Sequence, residues 1–159
     1  MSAGAKNNRT IRLTEAEESK YDAKLARIDA PATVEDACGR VFNMDVFDAL
    51  PLLPEEFVDL CFVDPPYNMN KTFNAAAFKR RADEQYAGWM ESWLAPLARL
   101  LKKNASIYVC SDWKSSAAAQ RALEKFFIIR NRITWEREKG RGAKNNWKNC
   151  HEDIWFCTV

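Results

Sequence analysis

Asp64-Pro65-Pro66-Tyr67-Asn68 follows the apolar run Val58-Asp59-Leu60-Cys61-Phe62-Val63. Two successive prolines cannot extend a strand ladder, since neither donates an N–H and both fix φ. The strand therefore stops at Val63 and a stiff turn takes over. That turn sets one carboxylate, one aromatic face and several unpaired carbonyls at the strand's C-terminal edge, where open α/β sheets bind ligands. Its chemistry is that of hydrogen-bond acceptors, a stacking surface and fixed placement. The plainer alternative is a Pro-Pro turn that only ends a strand.

The elements that must position this turn are legible in outline. Thr14-Glu15-Ala16-Glu17 reads as a capping box opening a helix to about Ile28, with Pro31 beyond its end. Arg40 to Asn43 predicts a short strand, Asp45 to Leu53 a short helix closed by Pro54, and Glu56 to Val63 the strand that delivers the turn. Residues 69 to 82 read as a polar loop over the site. Asp83 to Lys103 predicts a long amphipathic helix that Pro96 bends or splits. A strand over Ala105 to Cys110 comes next, then a helix capped by Ser111 or Asp112 and running to about Lys125. Phe126 to Trp135 and His151 to Thr158 predict the last strands, around a basic Gly/Asn-rich loop over 136 to 149. Strands alternating with helices imply an α/β fold with a mostly parallel sheet. The last two strands, joined without a helix, predict an antiparallel C-terminal hairpin.

Asp64-Pro65-Pro66-Tyr67 after a hydrophobic strand resembles the catalytic motif of the amino-methyltransferases that modify exocyclic nitrogens of DNA bases, the adenine-N6 and cytosine-N4 enzymes. The similarity continues through Asn43-Met44-Asp45 with Val46-Phe47-Asp48-Ala49-Leu50, and through the helix Trp93 to Lys102. Ser106-Ile107-Tyr108-Val109, Ile133-Thr134-Trp135 and Asn149 to Ile154 resemble the strands that follow. Roughly residues 38 to 158 match in order. The resemblance implies a Rossmann-like methyltransferase sheet, S-adenosyl-L-methionine as cofactor, and double-stranded DNA with a flipped adenine as partner. It implies Asp64, Pro65, Pro66 and Tyr67 as catalytic residues. It also brings Asp64 and Asp45 to the cofactor, although Asp45 reads equally well as a helix N-cap.

An exocyclic amine is a poor nucleophile because its lone pair is delocalised into the ring. Accepting hydrogen bonds from its N–H groups pushes the nitrogen toward sp³ and frees that lone pair for in-line attack on a sulfonium methyl. Such a reaction needs placement and no covalent intermediate. The Asp64 carboxylate and the Pro65 carbonyl are the expected acceptors, and Tyr67 the ring on which a flipped base stacks. Asn68 is expected to orient the loop or to touch DNA. Cytosine-C5 chemistry is disfavoured, since its Pro-Cys pattern is absent from the chain. His151 and Glu152, beside Cys150, read as structural, because neighbours in a strand point to opposite faces.

The 159 residues fit one domain with a real core, here divided into a polar tail and N-terminal helix (1–30) and a catalytic-motif half (31–159). The net charge of +2 is too small for a wholly basic nucleic-acid binder. Charge is concentrated instead between Arg130 and Lys148, where Trp135 and Trp147 interleave with cations that include Lys139, Arg141 and Lys144. That stretch is either a solvated loop or, read with the motif, a DNA contact. Five cysteines without C-x-x-C spacing and one histidine predict a reduced, cytoplasmic protein without a zinc site. No apolar run has the length of a membrane span.

One expected part is missing. A glycine-rich Phe-x-Gly-x-Gly turn, which should receive the cofactor's amino-acid end, does not occur, and Gly140-Arg141-Gly142 follows no apolar strand. The order of segments resembles the permuted β class, in which the Asp-Pro-Pro-Tyr half comes first. The expectation is a truncated or split enzyme, or one working with a second chain that supplies the glycine-rich half. RNA or protein amide substrates, and a nucleic-acid-binding module without catalysis, stand as alternatives.

Overall fold

The computed structural model describes residues 13–73, 76–141, 145 and 147–159, with only the backbone of 71–73, 76–78 and 139–141. The first described element is α1 (Glu15–Asp22), opened by the expected Thr14/Glu17 capping box but ending short of the expected Ile28. Two single-turn helices, α2 (Val34–Ala37) and α3 (Val46–Ala49), come next, and a 3-10 turn (Leu50–Leu52) continues α3. Between them Phe42 makes only an isolated parallel bridge to Ala26, so no strand forms over 40–43.

Four strands make the main sheet: β1 (Val58–Val63), β4 (Leu101–Ser111), β5 (Ile128–Arg141) and β6 (Asn149–Thr158), in the order β1-β4-β6-β5. The sheet is mixed. β1 runs parallel to β4, with Cys61 opposite Ile107, whereas β6 pairs antiparallel with both β4 and β5. The expected C-terminal hairpin is therefore present. Residues 69–82, expected as loop, contain a small antiparallel ribbon of β2 (Lys71–Phe73) and β3 (Ala76–Phe78).

Helices α4 (Asp83–Ala98) and α5 (Ser116–Leu123) supply the core side. α4 buries Tyr86, Ala87, Met90, Trp93 and Leu94, spaced one, three and four apart as one face of a helix requires. These side chains meet Ile107 and Val109 of β4, Trp155 and Cys157 of β6, and Ala119 and Leu123 of α5. The opposite sheet face carries Phe62, Tyr108 and Phe156 side by side, with ring centroids 6.3 and 4.9 Å apart. Phe62 and Leu60 on β1 are about three-fifths exposed.

Candidate active site

β1 ends at Val63, and the two prolines turn the chain out of the sheet as their missing N–H groups require. Asp64 is exposed and Pro65 buried. The turn is then held from three sides. Tyr86 of α4, buried in the core, donates its hydroxyl to the Pro66 carbonyl at 3.0 Å. Tyr67 donates to Glu152 Oε2 of β6 at 3.1 Å, and Asp64 is the second carboxylate facing that phenol.

Asn68 supplies the third anchor. Its Oδ1 accepts from the Arg81 N–H at 2.8 Å and its Nδ2 donates to the Arg81 carbonyl at 3.0 Å. The buried amide thus imitates a strand partner for one residue. Asn70 Oδ1 accepts from the Arg80 N–H at 2.8 Å, so residues 80 and 81 are latched to the turn through their backbone. Asn68 is 5 % exposed, and every hydrogen bond shown for it goes to Arg81. These bonds tie the turn to the segment at Arg81.

Electrostatics follow from this packing. Burial first, then the carboxylates of Asp64 and Glu152, push the Tyr67 phenol far above its usual range, and burial raises that of Tyr86. Both rings stay neutral donors. Cys110, under the same two carboxylates, is raised to about 11, chiefly by burial. A thiol held protonated is a poor nucleophile, so the site offers acceptors rather than a covalent intermediate. Among the described residues no hydrogen bond reaches the Pro65 carbonyl.

The remaining expected residues fall elsewhere. Asp45 is exposed and accepts from the Phe47 N–H at 2.8 Å, which makes it the N-cap of α3. The basic stretch is not a loop up to residue 141, because β5 runs through Arg141, paired there with Asn149. Hairpin pairing with β6 carries the strand past Trp135, with a register shift between Glu136 and Arg141. Arg132 pairs with Asp153 at 2.8 Å and Arg137 with Glu152 at 2.7 Å, so two of its cations are spent on carboxylates of β6. The side chains of Lys139 and Arg141, and all of Lys144, lie outside the described residues. Trp147 is almost wholly exposed and Trp135 more than half.

Glu152, expected to play a structural part, holds the Tyr67 hydroxyl of the motif turn. Strand alternation was sound, since His151 faces solvent and Glu152 faces inward. Nothing in the sequence tied that inward face to Tyr67, 85 positions away. Tyr86 was hidden for the same reason. On the hairpin surface Glu136, Cys150 and His151 bring ligand atoms within 4.8 Å of one another.

A cavity of about 480 Å³ opens beside the turn, lined by Pro66, Tyr67 and Asn68 on one side and by Tyr86, Trp89 and the triplet Lys79-Arg80-Arg81 on the other. A cofactor with a long amino-acid tail would need a close backbone approach as well. At Gly39 and Gly88 a Cβ would meet nothing within 4 Å, so neither glycine backs a cradle. The described residues suit the reacting end of such a group and do not by themselves hold the rest.

Comparison with known proteins agrees with this geometry. The sequence profile of a DNA methylase family matches residues 58–158. DNA adenine methyltransferase YhdJ of Escherichia coli K12 is 30% identical over 115 residues, covering 72% of this chain and 39% of that protein. Type II methyltransferase M.BglII of Bacillus subtilis is 33% identical over 128 residues, covering 74% and 34%. Among solved structures, the cytosine-N4-specific PvuII DNA methyltransferase superposes with a TM-score of 0.57 at 18% identity, covering 74% of this chain and 48% of that one. A DNA modification methylase of Thermus thermophilus, complexed with S-adenosyl-L-methionine, gives 0.52 at 19% identity, covering 72% and 52%. These two share the fold. The chain spans 34% to 39% of the length of these two curated relatives. From the strand that delivers the Asp-Pro-Pro-Tyr turn to the last strand of the sheet, this chain belongs to the N6/N4 family of DNA methylases.

Proposed function

We propose that this chain carries the base-binding half of an S-adenosyl-L-methionine-dependent DNA methyltransferase acting on the N6 amine of adenine. The observation that carries it is the anchored turn, with an exposed Asp64 carboxylate and an unoccupied Pro65 carbonyl at the end of β1. S-adenosyl-L-methionine, when bound, supplies the methyl group. Asp64 and Pro65 accept the two N–H bonds of the exocyclic amine, which localises its lone pair. Tyr67 offers its ring face to the flipped base while its hydroxyl stays fixed on Glu152. Tyr86, by gripping Pro66, keeps the Pro65 carbonyl aimed.

Asp at the first motif position and the adenine specificity in the name of the E. coli relative support adenine. The cytosine-N4 reading rests on the name of the PvuII neighbour. Asp45 remains a proposed contact of the cofactor, made through its second carboxylate oxygen. The glycine-rich half, in the same polypeptide or a second chain, would pair against the outer edge of β1, where Leu60 and Phe62 are exposed. Five free cysteines fit a reducing cytoplasm, and no described helix is long and apolar enough to cross a membrane.

Incubation with duplex DNA and labelled S-adenosyl-L-methionine, followed by digestion to nucleosides, tests the reading. N6-methyladenine is expected, and Asp64→Asn should lower its yield by roughly a hundredfold or more. N4-methylcytosine would move the assignment to the second reading. Binding of DNA without binding of cofactor would leave a nucleic-acid-binding module.

A further inference from the structure

Lys79, Arg80 and Arg81 stand beside the motif turn with no described ion pair among them, although Asp83 and Glu84 follow directly in the first turn of α4. Neither of those carboxylates lines the cavity that the three cations share with Tyr67. The triplet is also held in place. Asn68 and Asn70 grip the backbone of residues 80 and 81, while the Arg81 guanidinium lies 5.8 Å from the centre of the Trp89 ring. Holding the backbone leaves the charged ends to a ligand. The positive end of the 16-residue helix α4 begins two residues later, at Asp83, and favours an anion there.

Resting on the DNA reading of the same site, we propose that Lys79, Arg80 and Arg81 form a phosphate clamp for the nucleotide presented to the Asp64–Tyr67 turn. Tyr67 and the three cations line the same cavity, so a base set against Tyr67 brings its neighbouring phosphodiester toward the cations. Three clustered cations engage phosphates as charge-assisted hydrogen bonds that carry no sequence information. Asn68 and Asn70 act as positioning residues, fixing the distance between the phosphate and the amine acceptors.

The salt dependence of duplex binding by the whole chain tests the clamp. Each lost phosphate contact lowers the slope of log K against log salt by about 0.9. The triple variant Lys79→Gln/Arg80→Gln/Arg81→Gln should therefore lose roughly two to three units of slope, and Arg80→Gln alone about one. Because the latch uses backbone atoms, these substitutions leave it intact, and circular dichroism should be unchanged. Asp64→Asn should keep the full slope. Asn68→Ala should lower the slope in the same direction, which a loss of stability alone would not do. An unaltered slope in the triple variant, with DNA still bound by the parent chain, would overturn the clamp and leave the methyltransferase reading standing. No duplex binding by the parent chain at about 50 mM salt would instead overturn the DNA reading itself.

Discussion

The Tyr67 hydroxyl donates to Glu152, and Glu152 also takes Arg137, so one carboxylate links the motif turn to β5 and β6. Glu152 is mostly buried, with 16% of its side chain exposed, so its charge needs both partners. A double-mutant cycle on Tyr67→Phe and Glu152→Gln should show a coupling of about 1 kcal/mol in urea unfolding, since a hydrogen bond to a partly screened carboxylate is of that order. A coupling near zero would place the working contact of Tyr67 elsewhere, on Asp64. Glu152→Gln should also leave the Arg137 cation half-buried without its partner, so the single substitution costs more than the coupling. At this scale the sequence exposed the motif and little of its support. Asp64 to Asn68 are adjacent and chemically conspicuous. Glu152, Tyr86 and Arg81 reach the turn only through the fold, from 85, 20 and 13 positions away from their partners.

Helix α4 does two separate things with one face. Met90, Trp93 and Leu94 fill the core, while Tyr86, one turn earlier, reaches the Pro66 carbonyl. Their removal should therefore differ in kind. Met90→Ala opens a cavity at a wholly buried position and should lower global stability by about 2–5 kcal/mol. Tyr86→Phe should cost only about 1–2 kcal/mol but free the turn, seen as faster hydrogen exchange at the Tyr67 to Met69 amides and reduced methyl transfer. Equal exchange in the two variants would show that the turn is held by the core and not by this hydroxyl. Element order was readable from periodicity, and the motif strand, expected from Glu56, is found over Val58–Val63. Where the reading overran, tertiary pairing won. The helix expected to Lys103 stops at Ala98, because Leu101 must pair with Val58 as β4 comes in beside β1. Arg99 closes the junction by donating to the Leu50 carbonyl at 2.7 Å. β5 outran its expected end at Trp135 because β6 was there to pair with it.

Across the whole molecule the two faces of the sheet differ. One is sealed by α4 and α5, and the other carries the Phe62, Tyr108 and Phe156 rings with Asp64 at its upper end. Burial on and around the sheet raises a set of acidic protons together. The thiols of Cys61, Cys110 and Cys157 are each pushed up to about 11 from 9.0, mainly by burial, and the phenols of Tyr67 and Tyr86 rise as well. For each, the folded state keeps a proton that the unfolded chain releases earlier. This contribution is fully present below the unfolded value and is lost as pH rises through the folded one. Stability should hold up to about pH 8 and fall from pH 9 onward, the thiol part of the loss being complete near pH 11. Urea midpoints measured under reducing conditions across that range check it, and Cys157→Ala should flatten part of the decline. A midpoint constant up to pH 11 would mean that water reaches these groups and that the sheet is less sealed than its packing indicates. Tyr67 belongs to the same set, so under the proposed function the alkaline limit of methyl transfer should follow the unfolding limb and show no earlier titration at the turn.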